Sequence, residues 1–113
     1  MARTLWIKEQ YLQHILAGDK TIEVRVAYPN ITRLQPGDLI CLNERHAAVV
    51  LRLACYPSFE ELLQSEDPAR IAPHLDRQEL LSALRAIYPP EKEALGVVAL
   101  ELELIKEDSE TPE

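Results

Sequence analysis

Lys20, Thr21, Glu23 and Arg25 crowd into six residues of the stretch Ala17-Gly18-Asp19-Lys20-Thr21-Ile22-Glu23-Val24-Arg25-Val26. A carboxylate set between two cations can neutralise them as a surface pair, or share a ligand with them. It can also move a proton while they hold developing negative charge. Ile22, Val24 and Val26 alternate with Thr21, Glu23 and Arg25, which is the period of a half-buried strand, so the charges share one face. Glu23 and Arg25 are then about 7 Å apart along the chain, within reach of each other or of one common ligand. Lys20 has the parity of the apolar face and joins them only from a turn ahead of the strand. Arg52, a lone charge inside an apolar run, is a further candidate for phosphate, and Thr21 offers a hydroxyl. Each has a plainer reading: a solvated edge face for the pair, a stem laid on the core for Arg52, an ordinary strand residue for Thr21. Trp6 can stack on a base, but its neighbours Leu5 and Ile7 place it in the expected core.

The surrounding elements have legible signals. Thr4 to Ile7 is expected as a short strand. Lys8 to Ala17 follows as a helix, with Tyr11, Leu12, Ile15 and Leu16 on one face and Gly18 as its left-handed cap. The charged strand ends at Tyr28-Pro29-Asn30. Pro36-Gly37 suits the centre of a type II turn. Leu39 to Leu42 and Ala47 to Tyr56 are two further strands, and the lack of glycine in Asn43 to His46 predicts a connection longer than two residues. Ser58 with Glu61, and Asp76 with Glu79, are capping boxes, and Asp67-Pro68 caps a brief turn between them. Leu80, Leu81, Leu84 and Ile87 stripe the firmest helix, which Pro89-Pro90 ends. Val98 to Leu104 alternates as a closing strand. Strands first, helices in the middle and a returning strand make an α+β domain, with a small, partly open barrel as its expected closure.

Composition narrows the function classes. The 113 residues suffice for one compact core, and no run approaches the roughly 18 apolar residues of a membrane span. Cys41 and Cys55 lie in apolar runs without C-x-x-C spacing, and read as free buried thiols in a reducing cytoplasm. His14, His46 and His74 are scattered, so no metal site and no cofactor is expected. The net charge of −7 is uneven: residues 1–53 carry +2 and residues 54–113 carry −9. The acidic half would repel a long phosphate backbone, which argues against duplex DNA but leaves room for a local basic cleft.

The order helix, Gly18-x-Lys20-x-x-Glu23-x-Arg25, then Pro36-Gly37-Asp38 resembles the ASCH domain of the PUA-like superfamily, whose pattern is G-x-K-x-x-E-x-R. Tyr56-x-Ser58-Phe59-Glu60-Glu61 and Ile87-Tyr88 before a proline fit as well. The resemblance places the domain at 1–106 and leaves 107–113 as an acidic tail expected to be disordered. It implies a PUA-like small, partly open mixed β-barrel with helices at its side and ends, and a charged cleft that binds RNA, a nucleotide or a modified nucleoside. On that reading Lys20, Thr21, Glu23, Arg25 and Arg52 are the ligand-binding residues. One branch resembling this chain hydrolyses the acetyl group of N4-acetylcytidine with a lysine, a threonine and a glutamate. Lys20 matches that lysine, and Glu23 stands where the branch has its threonine. The alternative function is therefore an amidohydrolase on an acylated nucleoside, with Lys20 and Glu23 catalytic, Glu23 moving the proton and the cations stabilising charge. A third is a protein-interaction module using acids near Glu60, Glu61 and Glu66.

Overall fold

Residues 3–105 are described by the computed structural model, so the acidic stretch 107–113 lies outside the described residues. The strands are β1 (Arg3–Leu5), β2 (Ile22–Val26), β3 (Leu39–Leu42), β4 (His46–Tyr56) and β5 (Val97–Leu104). They form one mixed sheet in the order β1-β3-β4-β5-β2. Only β1 and β3 run parallel; the other neighbours are antiparallel. Helix α1 (Glu9–Ala17) follows β1, and the single turn α2 (Pro29–Thr32) follows β2. Between β4 and β5 come α3 (Phe59–Ser65), α4 (Pro68–Ile71), α5 (Arg77–Ile87) and α6 (Pro90–Glu93). No helix among the described residues is long and apolar enough to cross a membrane.

The centre of the sheet is apolar on both faces. Val98, Leu100 and Leu102 of β5 meet Leu5, Leu12, Ile15, Ile40 and Leu42 on the α1 side. Val97 and Ala99 meet Ile22, Val24, Val26, Phe59, Leu62, Leu63, Leu80 and Leu84 on the α3–α5 side. This double burial is why Val97 to Leu100 is a continuous apolar run, while alternation appears only further along β5.

The sheet does not close into a barrel. Its edges, β1 and β2, are not hydrogen-bonded to each other. β1 is three residues long, and the chain leaves it at Trp6 toward α1. One side chain spans the gap where strand pairing would have closed it: Arg25 on β2 donates from Nη2 to the carbonyl of Trp6.

The expectations for the cysteines and for Trp6 need revision, while the connection after β3 holds with an unusual backbone. The Asn43–Arg45 connection is three residues long, as the missing glycine predicts, yet Asn43 and Glu44 both take the left-handed conformation (φ 51° and 61°). Asn43 is suited to it and is further held by Ile7: its Oδ1 accepts from the Ile7 N–H (2.7 Å) and its Nδ2 donates to the Ile7 carbonyl (2.8 Å). β4 carries a bulge at Leu51, because Val50 pairs with Leu102 while Arg52 pairs with Glu101. The extra residue reverses the facing of everything after it. Cys55, paired with Val98 near the end of β4, is exposed and Cys41 is half-buried, against the buried thiols expected. Trp6 also leaves the core: Leu5 and Ile7 are buried and Trp6 between them is 61% exposed.

Gly37 has φ +96° in the turn that Asp38 N–H closes onto the Gln35 carbonyl. A Cβ built there would meet no heavy atom within 4 Å, so the cost of a side chain is purely one of backbone conformation. Gly37→Val is expected to destabilise by about 1–3 kcal/mol, and Gly37→Asn by less. The check is a urea melt in which the midpoint falls while the slope is unchanged.

Candidate functional site

Because β2 is an edge strand, one side of its backbone is free of the sheet. Beyond that edge lies a cleft of about 230 Å³, walled by Trp6, Ile7, Lys8 and Tyr11 on one side and by α5 on the other. Leu80, Ala83, Leu84 and Ile87 supply the α5 wall, with Tyr88 just beyond it, and Lys20, Glu23, Val24 and Arg25 form the back. Lys20, Glu23 and Arg25 of the charged stretch therefore do converge on one cavity.

Lys20 sits in the loop ahead of β2 and is only 3% exposed. An ammonium has three N–H donors and no acceptor. Here all three find acceptors: the Ile22 carbonyl (2.7 Å), the Ile71 carbonyl at the end of α4 (2.8 Å) and Glu23 Oε1 (3.1 Å). The Tyr11 ring lies 5.7 Å from the nitrogen and adds a cation–π contact. Burial pushes the Lys20 pKa below the ordinary lysine value, while the Glu23 carboxylate pulls the other way. Three acceptors match the charged form, and we assign Lys20 as an ammonium. Its nitrogen is committed to the fold and has no lone pair to offer a substrate.

Glu23 continues the line. Its Oε1 faces Lys20 and its Oε2 accepts from Arg25 Nε at 2.7 Å. Arg25 in turn holds the Trp6 carbonyl. A single hydrogen-bonded chain thus runs from α4 through Lys20, Glu23 and Arg25 to the segment after β1. Arg25 Nη1 has no partner among the described residues, nor do the hydroxyls of Tyr11 and Tyr88, and none of these atoms is a buried orphan. Burial pushes the Tyr88 phenol up, so it is a neutral donor at physiological pH. Three cations (Lys8, Lys20, Arg25) against one carboxylate give the cleft lining a net +2 in a chain of −7.

The structure takes Thr21 and Arg52 elsewhere: neither lines the cleft. Thr21 Oγ1 accepts from Arg70 Nε at 2.9 Å. Arg52, re-aimed by the bulge, makes a two-pronged contact to Glu66 (2.7 and 3.0 Å) and a third to Glu101 (2.9 Å). Arg70 Nη2 reaches the other oxygen of Glu101 at 2.6 Å, and the Tyr56 hydroxyl donates to Glu66. Two guanidiniums and two carboxylates cancel, so Arg52 has no free charge for a phosphate. Glu66 is only 7% exposed, which also removes it as a docking charge. The sequence reading weighed Trp6 for base stacking but set it in the core, whereas it stands at the lip of the cleft, and it missed Asn43, which holds Ile7 behind it. The available signal for Trp6 was the alternation of Leu5 and Ile7 around it.

The ASCH domain family model matches residues 5–106. In structure the chain is similar to the hypothetical protein PH0355, with a TM-score of 0.87, 31% identity, and coverage of 93% of this chain and 100% of that one. It is also similar to protein PF0455 from Pyrococcus furiosus, with a TM-score of 0.79, 29% identity, and coverage of 95% and 100%. None of the curated proteins compared with the chain matches it.

Two outcomes follow from these networks. Lys20→Met removes the ammonium and leaves two carbonyls and Glu23 facing a methyl group, which is expected to cost roughly 3–5 kcal/mol in a denaturant melt. The Arg52 guanidinium holds the Glu66 carboxyl below the usual carboxylate range. A carboxyl depressed in the folded state contributes stability that is complete above its unfolded pKa of about 4.3 and is lost as the pH falls through the folded value. Glu66→Gln should therefore be less stable than wild type at neutral pH, with the gap narrowing steadily in melts below about pH 4.3.

Proposed function

This chain belongs to the ASCH domain family, and from that premise we propose that its cleft binds one unstacked base of a single-stranded RNA, or a free nucleoside or nucleotide. The observation that carries the reading is an exposed Trp6 at the lip of a cleft whose lining is net positive. Tryptophan left this exposed has no core to serve, and its π-face suits any base. The volume of about 230 Å³ lies below the roughly 300–1,000 Å³ of pockets for drug-sized ligands, so one ring system is the natural occupant. Surplus cationic charge near Lys8 and Arg25 suits the phosphate that accompanies the base. Net negative charge elsewhere disfavours a duplex, whose bases are in any case stacked out of reach.

The deacylase alternative draws less support from the same atoms. Among the described residues Glu23 is the only carboxylate lining the cleft, and both of its oxygens hold cations. Lys20 has no free proton acceptor either. A binding site with structural charges accounts for this arrangement more simply than a general base does.

Trp6 is the only tryptophan, so its fluorescence reports directly on occupancy. Uridine, guanosine and short single-stranded RNAs should perturb it, and a duplex of the same sequence should not. By calorimetry, Trp6→Ala is expected to cost about 1–3 kcal/mol of affinity, the usual worth of one base stacked on an aromatic side chain. Equal affinity in Trp6→Ala, or no response to any of these ligands, would remove the reading. Sustained acetate release from N4-acetylcytidine that disappears in Glu23→Gln would replace binding by catalysis.

A further inference from the structure

The back of the cleft is main chain. In the β2–β5 ladder, Leu102 N–H donates to the Thr21 carbonyl and Ala27 N–H donates to the Gly96 carbonyl. The register pairs Glu23 with Leu100 and Arg25 with Val98. Odd-numbered residues of β2 thus turn their backbone groups toward β5, and even-numbered ones turn theirs outward. Two of the outward carbonyls are already taken: Ile22 by Lys20 Nζ (2.7 Å) and Val26 by the N–H of Tyr28 (2.8 Å). Val24 lies between them and lines the cleft. Its N–H and C=O have no partner among the described residues, although the residue is only 6% exposed. Backbone groups in so enclosed a place are ordinarily paired, so an adjacent donor and acceptor are left for something that enters.

We propose that Val24 N–H and C=O are the base-reading edge of the site, and that they select rings carrying an N–H beside a carbonyl, the lactam edge of uracil, guanine or hypoxanthine. This inference rests on the binding reading above. The chemistry of the surroundings chooses lactam over amine. A ring carbonyl accepts from Val24 N–H, and its oxygen sits well in a lining of net +2. The neighbouring ring N–H donates to Val24 C=O. An exocyclic amine would need an acceptor beyond that carbonyl, and both oxygens of Glu23 already hold Lys20 and Arg25. An extended peptide, the usual guest of a free strand edge, needs several consecutive backbone groups. Here only one residue offers both, since Lys20 and Tyr28 occupy the carbonyls on either side.

The test uses the full chain, labelled with ¹⁵N, titrated separately with uridine, 3-methyluridine, cytidine and a blocked β-branched tripeptide. Uridine should move the Val24 amide resonance and slow its hydrogen exchange. 3-Methyluridine, which has lost the ring N–H, should bind about tenfold more weakly or worse, because Val24 C=O is then left unpaired. Cytidine should also be weaker. Equal affinity for uridine and 3-methyluridine, or a response of the Trp6 indole without one at Val24, would overturn the proposal while leaving base binding intact. No response of any cleft resonance to any nucleoside would sink the binding reading and this one with it. Binding of the tripeptide alone would give the edge to strand addition.

Discussion

A buried ammonium with three acceptors is the constraint on which the site depends. Removing Lys20 from water carries a penalty that is tolerable only when every N–H has a partner. Two of those partners are carbonyls from different parts of the chain, Ile22 on β2 and Ile71 at the end of α4. The third is Glu23, three residues on. Satisfying Lys20 therefore fastens α4 to the edge of the sheet and fixes the rotamer of Glu23. Glu23 then orients Arg25, and Arg25 holds the Trp6 carbonyl across the open side of the sheet. The charged residues that look like ligand contacts are in the first instance the joinery of the cleft.

That arrangement separates two kinds of electrostatics. Arg52 of β4 and Arg70 of α4 are matched against Glu66 at the end of α3 and Glu101 of β5, and the group is neutral. In the cleft, one carboxylate cannot match three cations, and the surplus is left facing the cavity. A surplus of two charges in a narrow site with low-dielectric walls produces a local field despite the acidic remainder of the surface. The same remainder opposes long polyanions, so the charge distribution suits a small or single-stranded ligand.

Much of the frame was legible in the sequence because its signals are local. Gly18 and Gly37 take positive φ where a helix cap and a type II turn need them. Asp76 and Glu79 form the reciprocal capping box, and the β2 alternation gives its buried and charged faces without ambiguity. In the Ser58 turn the cap bond from Glu61 N–H is present. Apart from Trp6, whose exposure the Leu5–Ile7 alternation signalled, the failures are non-local. Nothing in the run Val49 to Leu53 announces a bulge at Leu51, so the facing of Arg52 and Cys55 could not be read from parity. Thr21 is engaged by Arg70, forty-nine positions away, through a contact that only the tertiary fold creates. The α+β fold with an open sheet was as expected, but how far it stays open depends on whether two edges meet, and the short β1 with the cleft beside β2 keeps them apart. Lys20 is the instructive intermediate. Its parity ruled it out of the strand's charged face, and the turn ahead of the strand brought it back.

An unpaired strand edge is ordinarily a hazard, because it invites another chain to add to the sheet. β2 meets this hazard without a proline or a bulge. Its edge is recessed between the Trp6–Tyr11 segment and α5, and side-chain and turn contacts have already taken the carbonyls at both ends. Val24 is then the one residue of this edge with both a donor and an acceptor free among the described residues, too little to propagate a ladder and, on the proposal above, the pair that grips a small planar ring. On that proposal, protection from strand addition and provision of a binding edge have one structural cause. Both trace to the placement of Lys20, whose ammonium caps the Ile22 carbonyl and holds open the space beside the next residue on that edge.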